Sequence, residues 1–367
     1  MTGPVVSRPV TEAKRAVVVG VGLIGGSIAL GLRKAGWHVT GIDHDVDRLA
    51  IAVSSGVVDA ATSIEDVSGG DLGVVAIPVG TAADAVQKLL DAGLNVVTDV
   101  GSVKAPIAAA VDDPRFVPGH PMAGSEQDGL EGASADMFSG ASWVLSPTPS
   151  TDDTAFATVR EMAVTLGAHA IAIPAERHDM LVAVVSHVPH LAAATLMSLA
   201  DGRAVEHRAL LRLAAGGFRD MTRIAAGHPA IWPDICAENA DAIVDVLDEL
   251  QLELGRVRDT IAGRDRTDLL QRLEAARIAR RNLPTTVSAP DQMTEMRVPV
   301  LDRQGEIAAI AALAADLDVN IYDLEIAHST EGPRGVVVLL IETAMAERFQ
   351  GGLMALGYRP SLQALEA

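Results

Sequence analysis

The chain has 367 residues, 48 of them acidic and 29 basic, for a net charge of −19; 49% are hydrophobic and 21% charged. That composition supplies real cores and excludes a disordered chain. It also lacks the basic field that nucleic-acid binders need, and an anionic membrane surface would repel it, so neither nucleic acid nor membrane is expected as a partner.

Residues 1–174 alternate strand-like apolar runs with helical patterns. Ala16–Val19, His38–Ile42, Leu72–Ile77, Asn95–Thr98, Trp143–Leu145 and Ala168–Ile173 read as strands, with Leu23–Ala35, Val46–Ser55 and Thr81–Asp91 as helices between them. This rhythm predicts an α/β, Rossmann-type domain, a mostly parallel sheet with helices on both faces. Residues 175–281 read as almost entirely helical, from Glu176 to Leu199, Trp232 to Ile261 and Leu269 to Ile278. Within them Met180–Ala200 is 21 residues without a charge, long enough for a membrane span at about 20 residues each. It carries Ser186, His187, Pro189, His190, Thr195 and Ser198, so a helix enclosed by protein is the expectation, with a subunit interface covering it and a homodimer as the default. The other uncharged stretch, Ala16–Leu32, is 17 residues long with five glycines and is not a span either.

Residues 282–295, with Pro284 and Pro290, read as a linker. Residues 296–367 read β-α-β-β-α, from Arg297–Leu301, Glu306–Leu317, Asn320–His328, Gly335–Glu342 and Met345–Leu356, with a last strand at Arg359–Leu365. The charge is uneven along this plan. Residues 1–174 hold 10 basic and 20 acidic groups, residues 175–281 hold 14 and 16, and residues 282–367 hold 5 and 12. All 14 cations of the middle region are arginines, the side chain whose planar fork grips carboxylates. Cys236 is the single cysteine and cannot form an internal disulfide; with no apolar core in Met1–Thr11, a reducing, cytoplasmic setting is expected.

Gly20-Val21-Gly22-Leu23-Ile24-Gly25 follows the first strand and opens a helix. Gly20 permits the tight turn, Gly22 the approach of a pyrophosphate, and Gly25 close helix–sheet packing. Asp43 lies 23 residues beyond Gly20, near the spacing of the acid that grips the adenosine ribose. Asp45 and Asp47 beside it favour NAD over NADP, and Arg48 is the one residue that softens this preference.

Three polar clusters sit where element ends should be: Asp99-Val100-Gly101-Ser102-Val103-Lys104, then Gly119-His120-Pro121-Met122-Ala123-Gly124-Ser125-Glu126, then Ser186-His187-Val188-Pro189-His190 followed by Gly216–Arg223 and Trp232. His187 and His190, three apart on a helix, could be core histidines or metal ligands, and no metal is expected.

With the glycine turn, these clusters stand in the order of the prephenate/arogenate dehydrogenase family, which the chain resembles over residues 14–281. The resemblance implies oxidative decarboxylation of prephenate to 4-hydroxyphenylpyruvate, or of arogenate to tyrosine, in tyrosine biosynthesis with NAD as cofactor. It makes His120 the catalytic histidine, Ser102 the serine that holds it by a hydrogen bond and borders the nicotinamide, and His190 a second histidine on the substrate. Arg223 becomes the arginine for a substrate carboxylate. Ser125, Glu126, Arg219, Asp179 and Trp232 match the mouth and wall of the pocket, with Glu126 either a partner for the arogenate ammonium or half of a gating pair with Arg219. A neutral imidazole suits the proton transfer that carbinol oxidation needs near neutral pH.

Residues 297–367 resemble an ACT domain, a βαββαβ module that often binds an amino acid, although the turn Asp302-Arg303-Gln304-Gly305 lacks the proline common before its glycine. Tyrosine feedback is the expectation there. Two other readings compete. A β-hydroxyacid-type dehydrogenase would want a catalytic lysine on the central helix, and Met180–Ala200 has none. A non-catalytic NAD- and amino-acid-sensing regulator has no need for His120, Ser102, His190 and Arg223 together.

Overall fold

The computed structural model describes residues 13–124, 127, 129–204, 210–281, 293–301, 303–328 and 334–364. It forms two compact units that divide between Leu254 and Gly255.

In the first unit, β1 (Arg15–Val19), β2 (His38–Ile42), β3 (Ala60–Ala61), β4 (Leu72–Val75), β5 (Val97–Asp99) and β6 (Phe116–Val117) make one parallel sheet in the order β3-β2-β1-β4-β5-β6. This is the doubly wound order that binds dinucleotides outside the carboxyl ends of the strands. β1 explains itself residue by residue. Ala16 and Val18 enter one core with α1 (Leu23–Lys34), while Val17 and Val19 enter another with α3 (Val79–Asp91). An uninterrupted apolar strand is what a sheet covered on both faces requires. Helix α2 (Val46–Ser54) starts where the Asp45 carboxylate accepts from the backbone N–H of Asp47 and Arg48. The short α4 (Ala105–Ala110) follows β5.

A second, three-stranded sheet carries β7 (Gly119–Pro121), β8 (Ser142–Leu145) and β9 (His169–Ala172), with β7 antiparallel to β8. His120 therefore lies on a strand, opposite Val144. Between β8 and β9 runs α5 (Asp153–Thr165), capped by Asp152 and burying Ala155, Val159, Met162 and Ala163.

The helical part opens with α6 (Ala175–Val182), a π-turn over Ala183–His187 and α7 (Val188–Ala204). Pro189 has no N–H to give and clashes with a regular preceding turn, and the widened turn before it absorbs both defects. Ala175–Arg203 is long and apolar enough to cross a membrane by length and composition. One chain alone leaves much of it uncovered, with Met180, Leu181, Val184, Val185 and Leu199 exposed, as a helix expected to be covered by a second subunit requires. After it come α8 (Gly216–Thr222), α9 (Trp232–Glu238) and α10 (Ala240–Ala262).

The second unit contains α11 (Arg266–Arg281) and an antiparallel sheet ordered β11-β12-β10-β13, from β10 (Met293–Leu301), β11 (Asp323–His328), β12 (Arg334–Glu342) and β13 (Ser361–Ala364). Helices α12 (Glu306–Asp316) and α13 (Thr343–Ala355) complete the βαββαβ order and share its core through Ile310, Ala346, Phe349 and Leu353. Strand β10 begins at Met293, three residues inside the expected linker, because Met293–Glu295 pair with Leu340–Glu342.

Candidate active site

The glycine turn joins β1 to α1 at the carboxyl edge of the sheet. Gly20 has φ +88°, and a Cβ there would meet the Ala76 carbonyl oxygen at 2.3 Å; one on Gly25 would meet the Gly20 carbonyl oxygen at 1.8 Å. A Cβ on Gly22 would meet nothing within 4 Å. The first two glycines are thus required by the protein itself, while the third leaves open space at the start of α1. Among the described residues no side chain caps that helix and no acid sits in its first turn, so the N–H groups at its start, beside Leu23 and Ile24, remain available to an anion. Asp43, at the end of β2, accepts from Val21 N–H and Asp45 N–H, both at 2.9 Å. Arg48 lies 3.3 Å from both Asp43 oxygens and from Asp45 Oδ2. Its guanidinium is engaged with these carboxylates. Gly20, Gly22, Asp43 and Arg48, with Thr62, Ile64, Ile77, Thr81 and Lys88, line a cleft of about 780 Å³. The residues present fit a dinucleotide.

β5 is parallel to β1, so its end opens on the same edge. There Asp99 clamps two segments together. Its Oδ2 accepts from Gly101 N–H at 2.8 Å and its Oδ1 from Gly119 N–H at 3.1 Å, while Lys104 Nζ bonds to Oδ2 and donates to the Gly119 carbonyl at 2.8 Å. The half-buried Ser102 loop and the His120 strand are held side by side by this buried ion pair. A Cβ on Gly119 would fall 2.9 Å from the Asp99 carbonyl oxygen, so the strand can approach only as glycine.

The partner of His120 differs from the one the resemblance implies. Among the described residues Ser102 makes no hydrogen bond to His120. Instead Nδ1 of His120 lies 2.8 Å from Nε2 of His178, whose Nδ1 lies 2.8 Å from Asp179 Oδ1. Asp179 is buried, and it accepts from the backbone N–H of Lys104 at 2.8 Å and of Ala105 at 2.7 Å. Burial, then His178, Lys104 and His187, hold the His120 pKa well below its ordinary 6.5, so the ring is a free base at neutral pH.

The polar chain continues through Asn239, whose Nδ2 donates to the Asp179 carbonyl at 2.9 Å and lies 3.1 Å from Nδ1 of His187. His187 is buried and edge-on to Trp232; His190, one turn on, stacks on Trp232 with ring centroids 3.6 Å apart. Burial pushes the pKa of His187 down to about 4 and lowers that of His190. Arg223 begins a 3-10 turn that packs against α7, and the Gly227 backbone just beyond it runs close to the His190 ring. Arg219 is exposed on α8 and donates from Nε to the Ala214 carbonyl at 3.2 Å. Ser125 and Glu126 lie outside the described residues.

His120, His187, His190 and Trp232 are thus linked through described contacts, with Ser102 beside them and the arginine turn against α7. The sequence pattern does not single out His178 or Asn239, and it marks Asp99 and Lys104 as members of a polar cluster without showing that they pair. Only the adjacent His178-Asp179 at the head of an apolar helix hinted at the first.

Comparison with known proteins matches residues 28–172 to "Prephenate dehydrogenase, nucleotide-binding domain" and residues 174–275 to "Prephenate dehydrogenase, dimerization domain". A Bacillus subtilis prephenate dehydrogenase is 33% identical over 334 residues, covering 88% of this chain and 90% of that protein. A cyclohexadienyl dehydrogenase of Zymomonas mobilis is 32% identical, covering 75% of this chain and 98% of its own. Among solved structures, an Aquifex aeolicus prephenate dehydrogenase in complex with hydroxyphenyl propionate and NAD+ aligns with TM-score 0.69 and 31% identity, over 74% of this chain and 98% of that one. The chain belongs to the prephenate dehydrogenase family of oxidoreductases.

Proposed function

We propose that this protein carries out NAD-dependent oxidative decarboxylation of prephenate to 4-hydroxyphenylpyruvate, of arogenate to tyrosine, or of both. The observation that carries the reading is His120: an imidazole kept unprotonated, on a strand clamped to the Ser102 loop at the same sheet edge as the glycine turn. Bound in that turn, the cofactor would supply a hydride acceptor. The chain's own residues do the rest. His120 takes the carbinol proton, Arg223 holds a carboxylate by charge-assisted hydrogen bonds, and His190, stacked on Trp232, presents a nitrogen to the ring substituent. Loss of hydride and CO₂ leaves an aromatic ring, so positioning and one proton acceptor suffice. Asp43, Asp45 and the paired Arg48 support NAD over NADP. Comparing kcat/KM for prephenate and arogenate by NADH absorbance tests the reading; it fails if neither substrate yields NADH above the enzyme-free control.

Two further parts of this reading concern assembly and control. The exposed apolar positions along α6 and α7, in a segment matched to a dimerisation domain, support a homodimer that covers them. The βαββαβ unit supports tyrosine feedback: Gly305, at φ +98°, opens α12, and beyond its chain neighbours none of the described residues comes within 4 Å of a Cβ built there. Millimolar tyrosine should then inhibit the full chain or shift its melting temperature, and the feedback reading falls if it does neither.

A further inference from the structure

With Asp179 ionised and His178 neutral, the groups behind His120 take one arrangement of protons. Asp179 is 4% exposed, and its Oδ1 and Oδ2 both accept backbone N–H groups, of Lys104 and Ala105. A carboxylate so occupied can only accept. His178 Nδ1, 2.8 Å from Asp179 Oδ1, therefore carries a proton, and a neutral His178 keeps a lone pair on Nε2. That lone pair faces Nδ1 of His120 at 2.8 Å, so the proton between the two rings belongs to His120. The nitrogen of His120 left bare is Nε2.

We propose that His178, oriented by Asp179, is a positioning residue that fixes His120 as its Nδ1–H tautomer and accepts that proton during turnover. The inference rests on the reading of His120 as the base. As the substrate O–H bond breaks, its proton bonds to Nε2 of His120. The Nδ1–H bond of His120 then breaks, and an N–H bond forms at Nε2 of His178. His120 ends neutral, and the charge rests on a His178 imidazolium beside the Asp179 carboxylate. The surrounding charges favour this end state. Among the described residues of the buried cluster two carboxylates, Asp99 and Asp179, face one ammonium, that of Lys104, leaving one negative charge unmatched until a proton reaches His178. Among the described residues, His187, from the π-turn, is the remaining titratable group acting on His120, and its low pKa keeps it neutral.

The test is steady-state kinetics of the full chain with its better substrate and NAD+. His178→Leu removes both the acceptor and the relay, and should lower kcat by about 10²–10³ with both KM values within about threefold of the parent. His178→Asn should recover at least about tenfold of that loss, because its amide oxygen accepts from His120 and its NH₂ donates to Asp179. Asp179→Asn can donate to His178 Nδ1 and so reverse the chain, placing a proton on Nε2 of His120. The wrong tautomer costs about 10⁴ in a serine-protease triad, so this variant should be slower than His178→Asn. A His178→Leu enzyme with kcat within about threefold of the parent would overturn the inference. So would equal losses in the Leu and Asn variants, and if His178→Leu does not fold, an Asp179→Asn enzyme as fast as His178→Asn would do the same. His120→Asn is measured alongside. Should it keep turnover, the base assignment itself fails; should it lose turnover while His178→Leu does not, only the relay fails.

Discussion

Replacing Lys104 by methionine probes what holds the Ser102 loop against the His120 strand. Lys104 has no exposed surface and Asp99 is 1% exposed. Methionine is apolar and of similar length, so the change removes a charge and two hydrogen bonds without opening a large cavity. It leaves the Asp99 carboxylate buried, with the Gly101 and Gly119 N–H groups as its remaining donors. Removing one partner of a buried ion pair costs about 3–5 kcal/mol. The two surviving N–H bonds argue for the lower end, about 3 kcal/mol. At about 2–4 °C per kcal/mol for a unit of this size, the melting temperature should fall by about 6–12 °C in differential scanning calorimetry. The decisive comparison is the double variant Asp99→Asn/Lys104→Met. Most of the cost is the orphaned charge rather than lost attraction, so removing both charges should restore part of the stability. A Lys104→Met protein within about 1 kcal/mol of the parent, or a double variant less stable than the single, would refute the clamp.

Arg223→Ala should raise substrate KM about 10- to 150-fold, the value of a charge-assisted hydrogen bond of about 1.5–3 kcal/mol, with kcat much less affected; a pure kcat loss would move Arg223 out of the carboxylate role. His187 is 1% exposed with a pKa of about 4, against 6.5 when unfolded. Below pH 6.5 the unfolded chain binds the proton more readily, so stability present above 6.5 is lost as pH falls towards 4, by up to about 3 kcal/mol. His187→Gln should flatten that part of the urea-stability profile, and an unchanged slope counts against the assignment. Val185, 64% exposed on the π-turn, should lie under the partner subunit. Val185→Glu should weaken the dimer at least about tenfold by sedimentation, and an unaltered dimer would place the interface elsewhere.

How far the sequence carried the fold depended on whether local chemistry or docking set each element. β2 is observed with its expected bounds, because the apolar run ends at Asp43, which the turn then uses. Leu72–Ile77 shortens to Val75, since Pro78 already caps α3 and leaves too little chain for more pairing. α5 carries a legible Asp152 cap and apolar spacing, but its alanines and threonines make the helical pattern weak against the surrounding loop residues. β7 was not legible. Gly119-His120-Pro121 reads as a loop, and only pairing with Ser142–Leu145 makes it a strand. His178 was hidden for a similar reason. Glu176, Arg177, His178 and Asp179 look like the solvated first turn of a helix. The Lys104–Ala105 backbone, brought by β5 from far along the chain, is what buries two of them. Element type follows from local pattern; a proton relay assembled across 58 residues does not.

The charge of −19 acquires a sharper meaning at the site. A dicarboxylate approaching this chain meets a repulsive overall field, so capture must come from nearby cations. Lys104 cannot serve, being buried and committed to Asp99. The arginines of α8 and the turn after it can, because both Arg219 and Arg223 are exposed in a region whose own balance is nearly neutral, 14 basic against 16 acidic residues. The two fields have opposite salt signatures. Raising ionic strength from about 0.01 M to about 1 M shortens the Debye length from about 30 Å to about 3 Å. If the net charge governed encounter, screening would lower substrate KM. If the local arginines govern it, KM should rise with salt, and Arg223→Ala should remove most of that rise. A KM that falls with salt in the parent protein would show that the acidic bulk, not the arginine turn, sets the field the substrate meets.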